Sequence, residues 1–148
     1  MTPLAELVRR PIDPLALIQR VATPANGAVI LFLGAVRQVN EGRAVTGIDY
    51  AAYEGMAASE LESIVNDGVT RFGTSDIAVE HRLGELAVED ISVAIAVGHP
   101  HRDAAYALSR WVIEELKRRV PIWKREHYAD GTREWVDPTG RSDAQAVT

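Results

Sequence analysis

ISVAIAVGHPHRDAAYALSRWVIEELKRRVPIWKREHYADGTREWV, residues 91–136, sets the architecture. Residues 91–97 are apolar and rich in branched side chains, the pattern of a buried strand. Gly98 to Arg102 reads as a loop. Asp103 is the expected cap of a long helix that runs to about Arg119, and Pro121 forbids its continuation. Residues 122–128 and 132–136 flank Ala129-Asp130-Gly131 and read as a hairpin. A strand, a helix and then a hairpin fit a mixed α+β domain better than the repeating units of a doubly wound parallel sheet.

Upstream, the same mixture continues. Residues 1–12 hold two prolines and no clear period, so they read as an N-terminal arm. Asp13-Pro14 opens a short helix, with Asp as cap and Pro at the first helical position. Residues 28–36 form a branched, apolar strand bounded by the turn cluster Thr23 to Gly27. After the polar loop centred on Asn40-Glu41-Gly42, residues 45–53 read as the returning strand. Leu61, Ile64, Val65, Val69 and Phe72 recur at helical spacing and Gly73 follows them, so a second main helix covers 56–72. Residues 76–83 alternate, with Ile77, Val79 and His81 on one side, as in a half-buried strand. The expected product is one domain, 1–136, with residues 137–148 as a loose polar tail.

Composition narrows the function classes. The 148 residues carry a net charge of −5, which argues against a general nucleic-acid binder. No apolar stretch approaches the roughly 20 residues of a membrane span, and no signal peptide is evident, so a cytoplasmic protein is expected. Cysteine is absent, which eliminates thiolate metal sites and a cysteine nucleophile. Of 16 basic residues only Lys117 and Lys124 are lysine. Lysine can be tuned toward neutrality and act as a base or nucleophile, whereas arginine stays charged.

The basic residues gather in two places. His99-Pro100-His101-Arg102 enters a helix, where free N–H groups favour an anion and Arg102 adds a planar fork. Two histidines two apart, without a matching carboxylate–histidine pattern, do not argue for a metal. Residues 116–126 crowd Lys117, Arg118, Arg119, Lys124 and Arg125 around Pro121. Helix-dipole complementation accounts for the first three but not the last two. On a strand, Lys124 and Glu126 share one face, and Trp123 and Arg125 the other. Arg37 at a strand end reads as a solvated charge, and His81 as a core histidine. A non-catalytic module binding a phosphorylated small molecule or an acidic peptide tail is the alternative to an enzyme.

A set of motifs, in order, goes further. They are Gly27-Ala28-Val29 through Phe32-x-Gly34-x-Val36-Arg37, then Tyr53-x-Gly55-Met56, then His81-Arg82-Leu83-Gly84-Glu85-Leu86. His101-Arg102 follows, then Lys117 with Pro121-x-Trp123-Lys124-Arg125-Glu126, and last Trp135-Val136. Spanning about 27–137, the set resembles the family of large, catalytic subunits of molybdopterin synthase. The resemblance implies an α/β-hammerhead-like α+β domain, a homodimeric core and a heterotetramer completed by a small ubiquitin-like sulfur carrier. The carrier's C-terminal Gly-Gly thiocarboxylate would supply sulfur, converting cyclic pyranopterin monophosphate to the dithiolene of molybdopterin, with no bound cofactor or metal.

Carried onto this chain, the family's pocket corresponds to Arg37, His101, Arg102, Lys117, Lys124, Arg125 and Glu126. The resemblance makes Lys117 and Lys124 catalytic and the others substrate-binding. Where the family often has Lys between Gly34 and Val36, this chain has Ala35, so Ala35 and Val36 could offer only backbone contacts.

Overall fold

The computed structural model describes residues 2–136. A four-stranded sheet carries β1 (Leu4–Val8), β5 (Ile77–Arg82), β7 (Ile91–His99) and β2 (Ala28–Ala35), in that order. Only β1–β5 is parallel. A second sheet runs β3 (Val39–Asn40), β4 (Arg43–Ala52), β8 (Ile122–Tyr128) and β9 (Arg133–Val136), with β6 (Gly84–Ala87) also on β4. Its pairings are all antiparallel. The expected α+β class and C-terminal hairpin are both present.

Helix α1 (Pro14–Val21) lays Leu17 and Val21 on one face of the first sheet, against Ala78, Ala94 and Ala96. The Asp13 side chain accepts the Leu15 N–H, which caps the helix as its sequence requires. Helices α2 (Glu54–Phe72) and α3 (Arg102–Arg119) cover the opposite face. There Leu61, Ile64, Val65, Leu108 and Val112 pack on Ile77, Val79, Ile95 and Val97. Gly73 ends α2 at φ 69°, a conformation that costs glycine nothing.

Four expectations change. The N-terminal arm contains β1, whose register from Leu4↔Ala78 to Val8↔Arg82 is set by a strand seventy residues away. No local period announces such a parallel edge strand. β5 is buried on both faces rather than one, because helices cover the sheet from both sides. Its alternation reflects Glu80, buried and held by Arg10 at 2.8 and 3.2 Å. β6 escaped the reading because four residues are too few for a period. His101, not Asp103, occupies the N-cap of α3. The expected tail, 137–148, lies outside the described residues.

The chain passes between the two sheets at a single end of the first. The crossings are at Arg37 after β2, Tyr53 between β4 and α2, Leu83 between β5 and β6, Val88 to Asp90 before β7, and Val120-Pro121 between α3 and β8. Val36, Val45, Ile48, Leu86 and Tyr128 form a small core at this junction. Among the described residues, no helix is long and apolar enough to cross a membrane.

Candidate active site at the sheet junction

Two lysines meet where the sheets join. Lys117 stands on the last turn of α3, the chain turns at Pro121, and β8 brings Lys124 back toward it. Lys117 keeps solvent contact as a residue. Even so, desolvation of its ammonium and then the charge of Lys124 hold its pKa below the ordinary lysine value. A lysine so placed has its neutral form favoured, the requirement for accepting a proton.

Around the pair, Tyr50 faces Lys124 across the β4–β8 register. Its ring meets His81 edge-on at 5.1 Å. Burial raises the Tyr50 pKa, and Glu126 adds to the rise. His81 is the satisfied core histidine its position suggested: Nδ1 lies 2.9 Å from the Arg82 carbonyl, which fixes that nitrogen as the donor. Burial pushes its pKa down to about 4, and the Lys117 charge adds to the fall.

His81 therefore stays neutral in the fold while the unfolded chain protonates near 6.5. As pH falls through that window the unfolded state binds the extra proton, so stability drops, by up to about 3 kcal/mol. Denaturant titrations at pH 7 and pH 4 should show His81→Phe losing less stability than the parent by roughly that amount. Equal losses would refute the assignment.

Glu126 is buried, with Oε1 accepting the Asn40 amide at 2.6 Å and the Tyr128 hydroxyl at 3.1 Å. The Asn40 carbonyl oxygen in turn accepts the Arg37 guanidinium at 3.1 Å. Arg37 is thus tied to the junction rather than freely solvated. Asn40 was visible in the sequence only as part of a polar loop, and Tyr50 only as one position within a strand.

The remaining candidates are placed elsewhere. Arg125 points to the opposite face of β8 from Lys124 and Glu126. It donates to Asp49 at 2.7 and 2.9 Å and lies over Trp135. Val36 is a core residue whose N–H donates to Asp90 and whose carbonyl accepts from Glu89, so its backbone is already used. Ala35 is exposed at the end of β2, opposite Ile91. His101 and Arg102 are exposed at the far end of α3, about 24 Å from Lys117 at 1.5 Å per residue. The His101 N–H donates to His99 Nδ1, while His99 Nε2 lies 3.0 Å from the Phe72 carbonyl. Both ring nitrogens of His99 are therefore engaged with the backbone rather than solvated.

Asp49, Glu85 and His127 bring donor atoms within 4.8 Å of one another, a spacing that could hold a metal. Asp49 Oδ2 already accepts from Arg125 and His127, with Arg133 3.9 Å away. Burial pushes the Asp49 pKa up, but these hydrogen bonds outweigh it and hold the carboxyl below its usual value. Two guanidinium charges beside the carboxylate oppose a dication there.

Residues 7–119 match the family described as MoaE protein. A relative from Synechococcus elongatus named molybdopterin synthase catalytic subunit is 50% identical over 111 residues, covering 74% of this chain and 67% of its own. Another of that name, from Thermoplasma volcanium, is 37% identical over 130 residues, covering 88% of this chain and 95% of its own. The crystal structure of molybdopterin synthase from Staphylococcus aureus superposes with a TM-score of 0.84 at 33% identity, covering 91% of this chain and 98% of that one. With the family match extending over most of the chain and the same fold in that structure, the chain belongs to the MoaE family.

Proposed function

We propose that this chain is the catalytic subunit of a molybdopterin synthase, a sulfurtransferase acting on cyclic pyranopterin monophosphate in the cytoplasm. The observation that carries the reading is the meeting of the chain's two lysines at the sheet junction, with Lys117 held toward its neutral form. Sulfur arrives as the C-terminal thiocarboxylate of a small ubiquitin-like carrier, in keeping with a chain that has no cysteine.

The thiocarboxylate sulfur attacks a substrate carbon that bears an oxygen. The C–S bond forms as that C–O bond breaks, the oxygen leaving with the bonding electrons as the ring phosphate oxygen or, once protonated, as water. Carrier and substrate are then joined through an acyl–sulfur link. Water then adds to the acyl carbon and the acyl–sulfur bond breaks. The carrier leaves as a carboxylate and the sulfur remains on the substrate as a thiolate; a second carrier repeats the cycle. Lys117 suits removal of the water proton, and Lys124 stabilisation of the acyl oxyanion. Arg37 suits the substrate's phosphate.

His101 and Arg102 can join this site only from a second copy. β2 is an edge strand of eight residues with no charge, and Val29 and Leu33 on it are exposed. Such an edge invites pairing. Antiparallel pairing of two β2 strands about a twofold axis sets the Ala28 end of one against the Ala35 end of the other. The start of each α3 then lies beside the partner's Arg37 and the end of its α3. The proposed homodimer thereby completes two sites, each open to one carrier.

The test is reconstitution: purified chain, thiocarboxylated carrier and cyclic pyranopterin monophosphate, with the dithiolene product assayed. Product formed at catalytic turnover supports the reading. A carrier complex that forms but yields no product favours the binding-module alternative.

A further inference from the structure

Asn40 occupies the last position of β3, before a two-residue turn in which both Glu41 (φ 50°) and Gly42 (φ 77°) are left-handed. Asn40 pairs with Arg43 across that turn. This is the tight hairpin geometry that matches the twist of its strands. Glycine adopts it freely, but glutamate does so against its preference, so the surroundings must hold the turn in place. Arg43 supplies the hold. Its guanidinium lies 3.4 Å from the Tyr128 ring centre and binds Glu134 at 2.6 Å and Thr132 at 3.0 Å.

A turn fixed in this way presents the Asn40 amide in one orientation. Its NH2 donates to the buried Glu126 carboxylate at 2.6 Å, and its carbonyl oxygen receives Arg37 at 3.1 Å. Among common side chains of this length, only an amide can donate on one side and accept on the other. Leucine would take this acceptor from Arg37 and leave Glu126 with the Tyr128 hydroxyl alone, and aspartate would set a carboxylate against Glu126.

We propose that Asn40 is a positioning residue that fixes the Arg37 guanidinium at the sheet junction by anchoring it to Glu126, two residues along β8 from Lys124. The proposal rests on Arg37 binding the substrate phosphate, as assigned above. Asn40 itself acts through Arg37.

Two measurements test it. Steady-state kinetics of the assembled enzyme, with carrier, compare Asn40→Ala, Arg37→Ala and the double variant. Asn40→Ala should raise KM for the pterin substrate about tenfold and change kcat less than about twofold. In an Arg37→Ala background it should add nothing, since the two residues act as one unit. Additive effects, a loss confined to kcat, or an unchanged KM in Asn40→Ala would each overturn the proposal. Independently, 15N relaxation of the Arg37 Nε–H in the full chain should show an ordered side chain that becomes mobile in Asn40→Ala. Equal mobility in both proteins overturns the anchoring whatever the kinetics show. If Arg37→Ala leaves KM unaltered, the phosphate assignment of Arg37 falls, and with it the functional half of the proposal.

Discussion

Lys117→Ala is expected to fold normally and to lose about 10²–10³-fold in turnover, the usual scale for a proton-transfer or charge-stabilising group. Its position supports both halves of that expectation. Lys117 is outside the hydrophobic clusters, so its loss opens no cavity. Its ammonium is held toward neutrality by desolvation and by Lys124, so removing it relieves an electrostatic cost, and the variant should melt no lower than the parent. Lys117→Arg separates chemistry from charge: it keeps the cation but cannot release a proton, and should be nearly as inactive as alanine. Lys124→Arg, at the position assigned to charge stabilisation, should retain more activity than Lys117→Arg. Turnover and thermal melting on the three single variants decide the matter. Near-parental turnover in Lys117→Arg would remove the proton-transfer role and favour a site that merely binds anions.

Mixing two inactive variants is expected to restore activity. If Lys117 of one protomer works with Arg102 of the other, Lys117→Ala and Arg102→Ala homodimers have two damaged sites each. A mixed dimer concentrates both changes in one site and leaves the other intact. Random exchange at equal concentrations gives half mixed dimers, so about a quarter of parental turnover should return. The measurement is turnover before and after subunit exchange. Lack of recovery, with exchange verified by mass spectrometry, would mean that the site is confined to one chain. It would also require another role for His101 and Arg102, which α3 keeps about 24 Å from Lys117.

Much of this was legible along the chain. Asp13-Pro14, the spacing from Leu61 to Phe72, Gly73 and Pro121 each act within a few residues, so the helices and their ends could be read directly. The rarity of lysine marked Lys117 and Lys124 before any geometry was known, and alternation along β8 already placed Arg125 on the other face from Lys124. β1, β6 and the burial of β5 were not legible, because each depends on a partner element far away in sequence.

Local chemistry thus determined the α+β class, the helices and the hairpin, and singled out the two lysines. These follow from backbone preferences and from what each side chain can do by itself. The tertiary structure decided which charged groups share a site. Neighbour relations across sheets depend on where the chain crosses, and these crossings fall at one end of the first sheet. That arrangement joins Arg37 to Glu126 through Asn40, withdraws the backbone of Val36, and turns Arg125 toward Asp49. It also leaves His101 and Arg102 at the opposite end of a rigid helix, because eighteen residues of α-helix cannot bring their two ends together.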